Sequence, residues 1–237
     1  FLPVKTGKIT WKITGVITEE GTELCEANEN GTGLVKAVGT HFEYQNGTRF
    51  SPFGTTIYAL AHQDQELIEE TFASLAAAPF NKVRHCMFPK HYDYNHNEPQ
   101  YYPFEKKEDG SWDTEHPCFA YWDHMEEIIN RLGAMGIQSD LILFHPYDRW
   151  KFSEMSMEEN LSYLDYLLRR FSAIPYIWWS LANEYDLCFA KSLDDWHTIE
   201  QYVHDNDPFG HLLSNHNCFQ FYDFSRENIT HCSLQSC

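Results

Sequence analysis

From Gly54 onward the chain repeats one pattern, a short apolar run followed by an amphipathic stretch at helical spacing. That repetition restricts the fold more than any other feature. The segments FGTTIYALA (53–61), NKVRHCMF (81–88), IQSDLILFH (137–145), YIWWSLAN (176–183), HLLSNH (211–216) and ITHCSLQ (229–235) read as six strands. Asp64 is placed to cap a first helix with Leu67, Ile68, Phe72 and Leu75 on one face. Met125, Ile128, Ile129, Leu132 and Met135 make the stripe of a second helix, which Gly136 ends. Ser156 and Glu159 form a capping box for a third, carrying Leu161, Leu164, Leu167, Leu168 and Phe171. A fourth is expected around 192–205, with only a short helical segment between the last two strands. Alternating strands and helices make a parallel sheet, either open and doubly wound or closed into a barrel.

Two features decide for the barrel. No G-x-G-x-x-G or G-x-x-x-x-G-K follows any strand, so the phosphate-binding turns of open sheets are missing. Polar residues gather instead at the strand ends: His62 and Gln63, Lys90 and His91, His145 to Asp148, Asn183 to Asp186, Asn215 and His216, and Gln235. Strand ends converging on one face are how a (β/α)8 barrel builds its site. Ahead of this pattern the texture differs. ITWKITGVI (9–17) alternates as a strand, and residues 19–33 read as turn or loop. HFEYQNGTRF (41–50) sets Asn46-Gly47 between two short runs, as a hairpin does. The expected organisation is an N-terminal β segment and hairpin over 1–50, then an α/β domain of TIM-barrel type over 51–237.

Composition removes several functions. Lys and Arg number 17 against 35 Asp and Glu, a net charge of −18. That sign disfavours phosphate backbones and anionic membrane surfaces and suits an uncharged substrate. No apolar run approaches the ~20 residues of a membrane-spanning helix. No nucleic-acid or membrane partner is expected. The seven cysteines include no C-x-x-C and match no zinc ribbon or disulfide framework, so they read as reduced thiols. Reduced thiols make the expected location cytoplasmic, with secretion as the alternative; no basic-then-apolar leader is visible after Phe1, and a processed precursor stays open. The histidines show neither H-x-H nor H-E-x-x-H spacing; His91 with His96, or His211 with His216, would need further ligands to hold a metal. No metal and no cofactor are expected. A G-x-S-x-G nucleophile elbow is absent as well.

The sharpest motif is WWSLANEYD (178–186). Period two puts Trp178, Ser180, Ala182 and Glu184 on one side of the strand, and if that side faces the axis Glu184 lies at the barrel mouth. A carboxyl walled by aromatic residues is partly desolvated, which suits a general acid. The alternative is that Glu184 caps the next helix or pairs with an arginine. In HPYDRW (145–150), His145 can bind a sugar hydroxyl or orient a carboxylate, and Trp150 can stack on a sugar; equally, the segment can be a surface turn. Arg84 alternates with Cys86 and Phe88, so it can enter the barrel, with Glu184 as its expected partner. The loop HYDYNHNEPQYYPF (91–104) suits sugar binding by its aromatic content, and could equally serve packing or protein contact.

GTTIYALAHQ, NKVRHCMFPKHYDYN, LFHPYDRW and WWSLANEYD together resemble bacterial glycoside hydrolases of clan GH-A, in the apiosidase-like group, over residues 36–237. Proteins of that group often carry a β-sandwich ahead of the barrel. The resemblance implies a glycosidase, retaining in mechanism and acting on a plant or microbial polysaccharide or oligosaccharide. Glu184 would be its acid/base and Asn183 the ligand of the sugar's 2-hydroxyl. It implies less defined pocket roles for Arg84, His145 and His216, and Tyr185 and Trp150 are added as substrate contacts. A non-catalytic carbohydrate-binding or scaffold barrel is the alternative, and a metal-dependent barrel hydrolase a third.

A retaining glycosidase needs two carboxyl groups ~5–5.5 Å apart. In clan GH-A the nucleophile ends strand seven, and only six strands are read here. Asp148 and Asp186 are the nearest substitutes by strand-end position, though neither matches the family's pattern. The expectation is an incomplete barrel, since a full one takes ~250 residues. Its open edges would invite a homo-oligomer or association with a further segment.

Overall fold

The computed structural model of the chain describes residues 7–13, 19–25 and 31–235, the first two segments by their backbone alone. The chain divides into two compact units, Phe1–Ser51 and Pro52–Cys237.

In the first unit, β1 (Gly7–Ile13) and β2 (Glu19–Cys25) pair antiparallel, Gly7 opposite Cys25 and Ile13 opposite Glu19. The expected loop over 19–33 is therefore corrected in part. A full ladder with an alternating partner outweighs the weak strand preference of Glu and Gly. Residues 14–17 of the expected strand and 26–30 of the expected loop lie outside the described residues. β3 (Val35–Val38), β4 (His41–Tyr44) and β5 (Arg49–Phe50) form an antiparallel sheet. The Asn46-Gly47 turn joins the last two: Tyr44 N donates to Thr48 O at 2.8 Å. Gly47 takes the positive φ, +86°, while the Asn46 side chain accepts from Thr48 N at 2.9 Å.

The second unit runs β6 (Gly54–Thr56), α1 (Gln65–Ala77), β7 (Lys82–Cys86), the hairpin β8 (Phe104–Lys106) and β9 (Trp112–Pro117), α2 (Phe119–Ala134), β10 (Gln138–Phe144), α3 (Met157–Phe171), β11 (Ile177–Ala182), α4 (Leu193–Asn206) and β12 (Leu213–Ser214). β6, β7, β10, β11 and β12 lie side by side in that order, each parallel to the next. This is (β/α)-barrel architecture, open at its two edges among the described residues. The first strand is shorter than its apolar run. Ile57 N still donates to Arg84 O at 2.8 Å, and Cys86 N to Tyr58 O at 2.9 Å, before a 3-10 turn at Leu60–His62 takes the chain away. The sixth expected strand is reduced to a parallel bridge between His216 and Ser233. Among the described residues no helix lies between β12 and that bridge. Side chains hold the connection instead: Tyr222 and Arg226 both donate to Glu200 of α4, at 2.6 and 2.7 Å.

Helices α1, α3 and α4 start on side-chain caps. Asp64 accepts from Leu67 N, and capping boxes at Ser156–Glu159 and Ser192–Asp195 open α3 and α4. Alternation along the strands then separates two environments. Val83, Leu141, Leu143, Trp179 and Leu181 meet Ile68, Phe72, Ile128, Ile129, Leu164, Leu168 and Ile199 of the helices in one apolar core. Two stripe residues miss it: Leu67 and Met135 are exposed, each at the margin of its helix's buried face. The opposite face carries Arg84, Asp140 and Trp178 side by side across three strands, with Ser180 one step further along.

Candidate active site

The site is organised by how β11 ends. Asn183 N donates to Phe144 O at 2.9 Å, which carries the ladder one residue beyond the strand. Glu184 then takes a left-handed backbone, φ 55° and ψ 57°, and Tyr185–Leu187 form a 3-10 turn. A non-glycine residue there costs about 1–2 kcal/mol. The turn is anchored from both sides, by Tyr185 N on His216 O and Leu187 N on Glu184 O, each at 2.9 Å. The result presents the Glu184 side chain, only 8% exposed, between the ends of neighbouring strands. Tyr147, after β10, donates its hydroxyl to Oε2. Gln235, beyond the His216–Ser233 bridge, donates its amide to Oε1 at 3.1 Å. Burial, and then the adjoining Glu184 carboxylate, hold the Tyr147 phenol well above its ordinary range.

Asn183 is buried beside it, and its Oδ1 accepts from the Tyr58 hydroxyl at 3.3 Å. Burial also raises the Tyr58 phenol, against the opposing pull of Arg84. Two tyrosines from different strand ends thus grip the two members of the Asn–Glu pair.

Arg84 does point inward, but its ion-pair partner corrects the expectation. Nε lies 3.4 Å from Oδ2 of Asp140, and Nη2 donates to Ser180 Oγ at 3.3 Å. Lys82 joins Asp140 from the same strand as Arg84. Burial alone would raise the Asp140 carboxyl, but the two cations prevail and hold it below the usual range. Asp140 lies directly opposite Arg84 in register, whereas Glu184 lies beyond the end of β11. The nearer carboxylate takes the arginine.

The other expected residues fall at different depths. His145 is buried and hydrogen-bonds Phe88 O through Nε2 at 3.0 Å, with Nδ1 unpartnered. Burial pulls it down to about 4, so it is neutral near pH 7. His216 reaches Ser233 Oγ at 3.1 Å and Gln235 Oε1 at 3.3 Å, and burial, then Arg84, lower it too. It therefore adjoins the amide that holds Glu184. Trp150 hydrogen-bonds Glu98 at 3.0 Å and receives Trp112 Nε1 on its carbonyl at 2.9 Å, so it ties loop 91–104 to the β10–α3 connection. Tyr185 is placed away from the carboxylate. The left-handed turn at Glu184 sends it outward, edge-on to Trp196 and Tyr222 in the core.

Asp148 and Asp186 both serve the backbone. Asp148 accepts from Trp150 N and Ser153 N at 2.8 and 2.6 Å. Asp186 accepts from Cys218, Phe219 and Gln220 N at 2.6 to 2.8 Å. His91 and His96 meet at 3.2 Å, while His211 pairs with Asp207 away from His216. Among the described residues no three His, Cys, Asp or Glu side chains are gathered to hold a metal ion. Sequence reasoning missed Tyr58 and gave Tyr147 only a turn's role. The available signal was position, since both follow strands whose ends converge.

A family model for the apiosidase-like catalytic domain matches residues 37–233. Among solved structures, a candidate glycoside hydrolase from Bacteroides vulgatus superposes with a TM-score of 0.91 at 38% identity, covering 99% of this chain and 50% of its own. A glycoside hydrolase family 5 protein from the same organism gives 0.64 at 18% identity, covering 84% of this chain and 43% of its own. An endo-1,4-beta-mannanase from Rhizomucor miehei gives 0.55 at 17%, covering 78% and 60%. These last two share the fold alone. The chain spans about half the length of the first of these structures. No curated protein matches it.

Proposed function

Because the chain belongs to the apiosidase-like catalytic-domain family, we propose that it works as the barrel of a glycoside hydrolase, with Glu184 as general acid/base. The observation that carries this reading is the Glu184 carboxyl itself, buried at the end of β11 with one hydroxyl and one amide on it. Protonated, it gives its proton to the departing glycosidic oxygen; ionised, it takes one from the incoming water. Asn183 has its Oδ1 occupied by Tyr58, which leaves its amide nitrogen to donate to a sugar hydroxyl next to the bond that breaks. Arg84 and His216 act from behind this pair, and His145 supports the strand ends. The substrate is an uncharged plant or microbial polysaccharide or oligosaccharide.

The reading is of a retaining enzyme, which requires a second carboxylate. Asp148 and Asp186 are committed to backbone N–H groups, so neither is put forward. The nucleophile is assigned to a carboxylate outside the described residues. Those same commitments favour, as a second reading, a barrel that binds carbohydrate without turnover. Hydrolysis of an unactivated oligosaccharide by the full-length protein separates the two. The glycosidase reading expects turnover that Glu184→Gln lowers at least a hundredfold (~10²–10⁴ for acid/base catalysis). Undiminished turnover in the variant would end the assignment, and binding without any turnover would favour the second reading.

A further inference from the structure

Lys90 is a buried cation that the proposed chemistry does not use. It lies four residues past β7 and is 4% exposed. Among the described residues no carboxylate forms an ion pair with it. Its surroundings are aromatic. Nζ sits 3.6 Å from the ring centre of Tyr58, 4.4 Å from Tyr147, 5.1 Å from Tyr92 and 5.6 Å from Tyr94, and donates to the Tyr94 hydroxyl at 3.1 Å. A buried charge needs compensation, and the negative faces of tyrosine rings supply it. The two nearest rings are the two that grip the candidate site. Tyr58 donates to Asn183, and Tyr147 donates to Glu184.

We propose that Lys90 is a positioning residue: its ammonium fixes the rings of Tyr58 and Tyr147 and, through their hydroxyls, sets the Asn183–Glu184 pair. The proposal rests on the reading of Glu184 as acid/base. A cation on the face of a phenol draws electron density from it and makes its hydroxyl a stronger donor. That strengthens the Tyr147 hydrogen bond to the ionised form of Glu184, so the positive charge of Lys90 reaches the carboxylate through a ring. The other titratable groups facing Glu184 are Tyr58, Cys188 and His216, and none of them bridges Lys90 to the carboxylate as Tyr147 does.

The test reads the Glu184 carboxyl directly. The full-length protein is labelled with carbon-13 at its glutamate carboxyls, the Glu184 resonance is assigned by its loss in Glu184→Gln, and its midpoint is followed with pH. Lys90→Met is expected to raise that midpoint by about half a pH unit or more. Lys90→Arg, which keeps the cation on the rings, is expected to leave it in place. In a Tyr147→Phe background the Lys90→Met shift is expected to shrink to less than half. Lys90→Gln replaces Lys90→Met should the latter fail to fold. A folded neutral variant with an unchanged midpoint, or an equal shift in Lys90→Arg, overturns the proposal. No substrate is involved, so failure of the glycosidase reading is seen separately, as undiminished oligosaccharide turnover by Glu184→Gln.

Discussion

Arg84 turns its guanidinium to Asp140, with Nε 3.4 Å from Oδ2, and leaves Glu184 to uncharged donors. The interior of the sheet is thereby divided. A charge cluster of Lys82, Arg84 and Asp140 lies within the sheet, and a carboxyl held by a phenol and an amide lies at the strand ends.

The charge cluster should dominate stability. Asp140→Asn removes the one carboxylate shown to serve two largely buried cations. Breaking a buried pair in this way costs about 3–5 kcal/mol. Urea denaturation should show a loss of that size, while a change below about 1 kcal/mol would mean the cations are hydrated where they stand.

The hydroxyl of Tyr147 should matter to rate more than to binding. Tyr147→Phe keeps the ring and deletes one hydrogen bond to a charged group, worth about 1.5–3 kcal/mol. On an unactivated oligosaccharide kcat should fall about tenfold or more, with KM changed far less. An unchanged kcat would detach Tyr147 from the chemistry.

Three buried histidines, His62, His85 and His145, and the half-buried His231 should make the fold sensitive to mild acid. Burial pulls His62 down to about 3, and His85, His145 and His231 to about 4. In the unfolded chain these rings titrate near ~6.5. Protons therefore bind the unfolded state more readily, so stability is fully present above about pH 6.5 and drains away as the pH falls toward 4. Each ring contributes a slope of about 1.4 kcal/mol per pH unit in that window. Thermal melts should show Tm dropping steeply from pH 7 to pH 5; a flat Tm would mean the rings are charged in the fold.

Gly133 tests packing against propensity. Ala is the better helix former by about 1 kcal/mol. Here, however, a Cβ would meet the Tyr176 ring at 2.3 Å, and that ring is pinned by its hydroxyl on Asn130 at 2.5 Å. Gly133→Ala should destabilise by about 1–3 kcal/mol, and Gly133→Ala combined with Tyr176→Ala should recover part of that loss. A stabilised Gly133→Ala would show that the ring moves freely.

Much of the frame was legible because it is local. The Ser156–Glu159 capping box, the apolar stripes and the Asn46-Gly47 turn depend on residues a few positions apart, and each appears where its chemistry requires. The Asn183–Glu184 pair was legible by its motif and by period two. What escaped is what depends on circular arrangement. The Tyr147–Glu184 and Gln235–Glu184 contacts span 37 and 51 residues and exist only because strand ends converge. Tyr185 was added as a substrate contact for its place beside Glu184, but the turn that follows packs its ring on Trp196 and Tyr222, contacts that no local pattern announces. The Arg84 partner was misjudged because register across β7 and β10, invisible in one sequence, brings Asp140 nearer.

The φ of +55° at Glu184 has a consequence for anyone engineering this chain. Glycine would adopt that conformation freely and asparagine nearly so. The backbone relief, about 1–2 kcal/mol, is opposed by the Tyr147 hydroxyl and the Gln235 amide, both of which a glycine would leave without their acceptor. A stabilisation campaign therefore finds little to gain at this position, because the side chain offsets what the backbone costs.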